Sequence, residues 1–175
     1  KRAQMILIKN LFSAYTTPHI WKAKRGTFEI VALLNKSFDF LLPKRDYIEP
    51  WILKRPRYFL AFFAGYTDAE GCFYFQKSTN GRKRKNALFE IQTQDRQIIH
   101  QLWLGLAKLD IFSPKPKISC FAGRIDRRGV RNNKDMWRLG VCQKKSLWKM
   151  LNLLKPYIKH KEKSKAIPKA MENII

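Results

Sequence analysis

The stretch that most constrains the fold is PRYFLAFFAGYTDAEGCFYFQ, residues 56–76. Its periodicity changes at Gly71. Up to Glu70 the residues are mostly apolar or small and few are β-branched. Pro56 stands at the front, where its fixed φ suits the first turn of a helix. After Gly71 the pattern alternates. Phe73 and Phe75 fall on one face, with Tyr74, Gln76 and Ser78 on the other, as a strand requires. A helix therefore runs directly into a strand, and two carboxylates, Asp68 and Glu70, stand at the junction. On that helix, positions four apart share a face, so Ala61, Gly65 and Ala69 form a stripe without bulk. Such a stripe lets a second helix backbone come close. Gly65 inside a helix costs about 1 kcal/mol relative to Ala, which asks for a reason of that kind.

The rest of the chain continues the pattern. TNGRKRKN reads as a polar turn, and ALFEIQTQ as a second strand with Phe89 and Ile91 facing inward. DRQIIHQLWLGLAKL is an amphipathic helix with Asp95 at its N-cap. KISCFAGRI and KDMWRLGVCQ form a second pair of strands across the basic loop DRRGVRNN, with Trp137, Leu139 and Val141 inward. SLWKMLNLLKPYI is a helix capped by Ser146, and SKAIPKAMENII a final short helix. The order α-β-β-α-β-β-α is that of an α+β unit with an antiparallel sheet. Residues 56–175 read as that one unit. Residues 1–55 read as an N-terminal extension of short apolar runs without a chemical motif, with Pro50 and Pro56 bracketing a turn or linker at its end.

The partner is indicated by charge. Lys and Arg number 36 against 13 acids, a formal +23, while 45% apolar content argues for a folded protein rather than a basic tail. A folded chain this basic calls for a polyanion. An anionic membrane surface competes as partner, but no apolar run is long enough to span a bilayer. The first residues lack a small-residue cleavage signature, so they do not read as a secretory signal. Cys72, Cys120 and Cys142 lie far apart. His19, His100 and His160 do not pair with them at zinc-ligand spacing, which disfavours structural zinc and fits a reducing, intracellular compartment.

FAGYTDAEG, residues 63–71, resembles the signature of the LAGLIDADG homing endonucleases. The resemblance covers about the last two-thirds of the chain, because the family's αββαββα unit has the element order just read. The segment PYIKHKEK, residues 156–163, is similar to the basic tail that closes such units. Phe63, Tyr66 and Thr67 depart from the motif at apolar positions, and Glu70 stands where the family has Asp or Glu. The resemblance implies a saddle-shaped antiparallel sheet and site-specific hydrolysis of double-stranded DNA with Mg²⁺ or another divalent cation. It implies Glu70 as the metal-binding acid, with the Ala69 carbonyl as a further ligand. Such acids at the negative end of a helix repel unless a cation neutralises them. Asp68 is expected to support the helix end and the interface. Lys161 matches the family's active-site lysine, and its alternative is one more phosphate-binding cation. The family's second-strand glutamine falls near Thr93, and Gln92 and Gln94 stand equally as candidates. A single signature implies a homodimer, with Ala61, Ala64, Gly65 and Asp68 at the helix interface, reading a pseudo-palindromic site. The family's members are often intron-encoded, and the host compartment, a prokaryotic cytoplasm or an organelle, is left open.

The outward face of the sheet is the expected reading surface. Tyr74, Gln76, Ser78, Asn80, Glu90, Gln92, Arg138 and Gly140 alternate onto it, and Gln, Asn and Arg suit base edges in the major groove. Lys117, Ser119, Phe121 or Arg124 would add to it from the third strand. A slip of one residue there exchanges the faces. The loops holding Arg82, Lys83, Arg84 and Lys85, and Arg124, Arg127, Arg128 and Arg131, are expected to grip phosphates. The rival class is a binder that keeps the fold without cleavage, either a DNA-binding regulator or an RNA maturase acting on intron RNA. The intact Glu70 speaks for the nuclease.

Overall fold

The computed structural model describes residues 2–24, 26–41, 43, 45–76, 86–125 and 129–174. The chain divides into two units, Lys1–Arg45 and Asp46–Ile175. The first contains α1 (Arg2–Phe12), an antiparallel hairpin of β1 (His19–Lys22) and β2 (Phe28–Val31), and a 3₁₀ helix (Lys36–Leu41). Of its described residues only Pro18 is buried.

The second unit contains α2 (Pro50–Leu53), α3 (Pro56–Glu70), β3 (Gly71–Gln76), β4 (Asn86–Thr93), α4 (Arg96–Lys108), β5 (Lys117–Cys120), β6 (Met136–Val141), α5 (Lys144–Leu154) and α6 (Lys161–Glu172). The four strands form one antiparallel sheet in the order β3-β4-β6-β5. The fold is therefore α+β with the expected αββαββα order, closed by an additional helix. This unit begins before residue 56. Ile48 is buried at 1% exposure. Its N–H donates to Gln101 Oε1 at 2.6 Å, and Gln101 Nε2 donates back to its carbonyl. The break in the chain thus falls at residue 45 rather than 55.

The core lies on one face of the sheet. Phe89 and Ile91 of β4 alternate inward with Leu139 and Val141 of β6, and all four are fully buried. Above them sit Phe63 and Ala64 of α3, Ile99, Leu102 and Leu106 of α4, and Leu147, Met150, Leu151 and Leu154 of α5. Each fully buried aliphatic or Phe side chain contributes about 1.5–3 kcal/mol. The Phe63 ring meets Phe89 edge-on, with centroids 5.9 Å apart. Gly105 in α4 makes room for the Phe59 ring of α3, because a Cβ there would lie 2.2 Å from Phe59 Cζ.

Three local expectations change. Ser146 does not cap α5: Gln143 occupies the N-cap, and Ser146 Oγ donates to Gln143 Oε1 while accepting from the Phe112 N–H. The third strand is shorter than KISCFAGRI. A bulge between Ile118 and Cys120 shifts its register, and the chain turns at Gly123 with φ +83°, leaving an isolated bridge between Ile125 and Arg131. The last helix begins at Lys161 rather than Ser164, with His160 at its N-cap.

Candidate functional site

The C-terminal end of α3 is built from three parts of the chain. Phe63, Ala64, Thr67 and Asp68 face inward and are buried, while Gly65, Ala69 and Glu70 lie exposed. Burial of one stripe thus leaves the Glu70 carboxylate at the helix end, open to solvent. Asp68 is turned the other way. Its Oδ2 accepts the backbone N–H groups of Lys159, at 2.7 Å, and His160, at 3.1 Å. The carboxylate therefore pins the chain just ahead of α6 to the motif helix.

That attachment brings a cation to the helix end. Lys163 Nζ donates to the carbonyl oxygens of Thr67 and of Asp68, the latter at 2.7 Å. The last turn of α3 has no basic residue of its own, so Lys163 supplies the positive charge that a helix C-terminus favours. Lys161, the lysine expected at the site, is exposed at the start of α6. The structure brings Lys163 to the helix end instead. Neither composition nor spacing within KHKEK distinguishes the two. Only the turn at His160 does.

Gly71 has a different reason than the one a helix-to-strand turn suggests. Its φ of −73° and ψ of 151° are open to any residue. A Cβ there would lie 2.9 Å from the Thr67 carbonyl oxygen and 3.0 Å from the Phe89 ring. Close approach, not backbone freedom, excludes a side chain.

Tyr66 explains its departure from the motif. Its hydroxyl lies 2.7 Å from Thr93 Oγ1 and 3.0 Å from Asp95 Oδ2, and Thr93 Oγ1 also accepts the Asp95 N–H. Asp95 stands at the N-cap position of α4 without making a side-chain cap bond. Its carboxylate takes the Tyr66 hydroxyl instead. The phenol is held above its ordinary pKa, chiefly by burial, with Asp95 and Glu70 adding to the rise. The motif helix is thereby tied to the junction of β4 and α4. Gln94 lies exposed between the two residues that Tyr66 holds. Gln92 lies on the sheet face and donates to Glu90 Oε1 at 2.5 Å.

The strand register settles the outward face. Glu90 is opposite Cys72 and Gly140, Leu88 opposite Tyr74, and Gln92 opposite Arg138, which is in turn opposite Lys117. Tyr74, Glu90, Gln92, Lys117, Arg138 and Gly140 therefore share the face turned away from the core. Arg138 pairs with Glu90 at 3.5 Å. A hollow of about 310 Å³ lies over Gly140, edged by Leu88, Glu90, Lys115, Lys117 and Arg138. Ser119 is turned back on its own chain, its hydroxyl donating to the Met136 carbonyl. Phe121, Arg124 and Arg131 are exposed beyond the strand. Ser78, Asn80, Arg82, Lys83, Arg84, Lys85, Arg127 and Arg128 lie outside the described residues, as does the side chain of Gln76.

Ala61, Gly65 and Ala69 form an exposed stripe on α3, and a Cβ built on Gly65 meets nothing within 4 Å. Ala64 is not part of it. It is fully buried in this chain's own core, and Asp68 is occupied by the segment before α6.

The family model described as a LAGLIDADG-like domain matches residues 58–155, more than half of the chain. No curated protein matches. Among solved structures the chain is similar to the homing endonuclease I-CvuI in complex with its target in the presence of calcium. That likeness has 21% identity and a TM-score of 0.45, covering 68% of this chain and 67% of that one. Its likeness to I-CvuI in complex with the I-CreI target in the presence of magnesium has 20% identity and a TM-score of 0.43, over the same shares. An archaeal intron-encoded homing endonuclease complexed with DNA is similar at 19% identity and a TM-score of 0.44, over 67% of each chain.

Proposed function

From the premise that this chain belongs to the LAGLIDADG family, we propose that it is a site-specific endonuclease of double-stranded DNA. It acts as a homodimer and uses a divalent cation at a pseudo-palindromic site, and it is encoded within an intron. The observation that carries the reading is Glu70. A chain of formal charge +23 leaves this carboxylate exposed at the end of a helix whose other acid, Asp68, is consumed internally.

The donor set fits a hard cation. Among the described residues no three His, Cys, Asp or Glu side chains converge. The Glu70 carboxylate, with the Ala69 carbonyl, would hold the ion. Oxygen ligation of that kind suits Mg²⁺. A bound divalent cation would neutralise charge on the scissile phosphate and make water a stronger nucleophile.

The chain's own residues do the positioning. Lys163 neutralises the helix end beside Glu70 and keeps α6 against it. Lys161, exposed two residues earlier, is available to a phosphate. Gln94 is the glutamine assigned to the cleavage site, because Tyr66 holds the residues on both sides of it. Gln92 is assigned to the reading face with Glu90, Arg138 and Tyr74, where paired donors and acceptors meet base edges. The second copy is supported by the stripe Ala61, Gly65 and Ala69. Within one chain Gly65 costs helix stability of about 1 kcal/mol and accommodates nothing. Against a second α3 it permits close backbone approach.

The test is Glu70→Gln, which keeps shape and removes one charge. Cleavage of a DNA library in Mg²⁺ should be lost, with binding retained or strengthened. Cleavage at the unaltered rate would remove Glu70 from the site.

A further inference from the structure

We propose that the hairpin β1–β2 of the N-terminal unit is a further duplex-DNA contact, in addition to the sheet face of the second unit. The proposal extends the nucleic-acid reading above and rests on it.

The described residues of 1–45 form regular elements, and among them only Pro18 is buried. Trp21 is 45% exposed, Phe28 51%, Val31 41% and Leu33 77%. Elements that bury so little need something to cover them. The charge says what. Residues 1–45 hold nine Lys and Arg against two acids, Glu29 and Asp39, leaving a formal +7. A surface of this charge attracts a polyanion.

The hairpin has the geometry to meet a duplex. It is a two-stranded antiparallel ribbon with His19 opposite Val31 and Lys22 opposite Phe28, and a ribbon of this kind enters the major groove. Its turn is closed by the Ala23 N–H on the Thr27 carbonyl at 2.8 Å and the Gly26 N–H on the Ala23 carbonyl at 3.0 Å, with Gly26 at φ +73°. Lys22 and Lys24 stand at that turn and make no ion pair among the described residues. Beside them lies an open hollow of about 570 Å³ bordered by Trp21, Lys22, Lys24, Thr27 and Glu29. Lys22 and Lys24 take phosphates. Trp21 supplies apolar contact, and Glu29, opposite Trp21, suits the exocyclic amino group of a base.

The test uses the full chain, a random-sequence duplex pool and no divalent metal, so that nothing is cut. Trp21 is replaced by the photocross-linker p-benzoylphenylalanine. Because Trp21 lies outside any core, the replacement does not threaten folding. Irradiation should give a protein–DNA adduct. Separately, the double variant Lys22→Ala/Lys24→Ala should lower the slope of log affinity against log salt by about 0.9 for each lysine. Cross-links only within the chain or between copies, no adduct at all, or an unchanged slope each overturn the proposal. The readings also separate. An adduct from a protein that never cleaves DNA keeps the hairpin contact and removes the nuclease. Cleavage without an adduct does the reverse.

Discussion

Replacing Asp68 with Ala tests whether the motif helix and the closing helix are one device. Asp68 is 8% exposed, and its Oδ2 accepts the N–H groups of both Lys159 and His160. Hydrogen bonds to a charged group contribute about 1.5–3 kcal/mol each. Losing two therefore costs about 3–6 kcal/mol in the limit where nothing relaxes. The two N–H groups sit at the start of α6, where local fraying can return them to water, so about 3–4 kcal/mol is expected. Asp68→Asn retains one acceptor oxygen and loses only the charge assistance, so about 1–2 kcal/mol is expected. The second consequence is functional. Lys163 follows the released segment and leaves the Thr67 and Asp68 carbonyls, so cleavage should fall further than stability alone explains. Urea unfolding of the full chain, with cleavage measured well below the transition, separates the two effects. An Asp68→Ala protein within about 0.5 kcal/mol of the unaltered one would refute the reasoning, because the segment before α6 would then be held by something else.

Three further outcomes are expected. Tyr66→Phe removes a half-buried hydroxyl from Thr93 and Asp95 and should cost about 1–2 kcal/mol; if Gln94 depends on this tie, the maximal cleavage rate falls while DNA affinity stays, and equal loss of both would count against it. Gly65→Leu adds bulk where the single chain has open space and removes a helix-interior glycine, so it should raise monomer stability by up to about 1 kcal/mol yet give monomers in sedimentation. A well-behaved dimer would place the interface elsewhere. Arg138→Ala frees Glu90 on the outward face and should weaken binding by about 1–3 kcal/mol with relaxed preference at one position per half-site; a uniform loss across single-base variants of the target would show that Arg138 does not read bases.

The sequence alone determined most of the elements of residues 56–175, because their causes are local. Alternation at Phe73–Gln76 and Phe89–Ile91 and the small stripe of Ala61, Gly65 and Ala69 follow from periods of 2 and 3.6, which each segment carries by itself. The resemblance in FAGYTDAEG placed Glu70 at the helix end by the same short-range logic. What the sequence left undecided depends on groups far apart in the chain. Asp68 accepts from residues 91 and 92 positions later, so its role as an internal anchor has no local signature, and it reads equally well as an interface acid. The choice of Lys163 over Lys161 follows from where that anchor stops the chain. Tyr66 looks like an irregular motif position until β4 brings Thr93 within 2.7 Å. Ser146 has the chemistry of a cap, but Phe112 and Gln143 claim its hydroxyl. A side chain's type limits which partners it can satisfy. Only the packed chain decides which of them is within hydrogen-bonding distance.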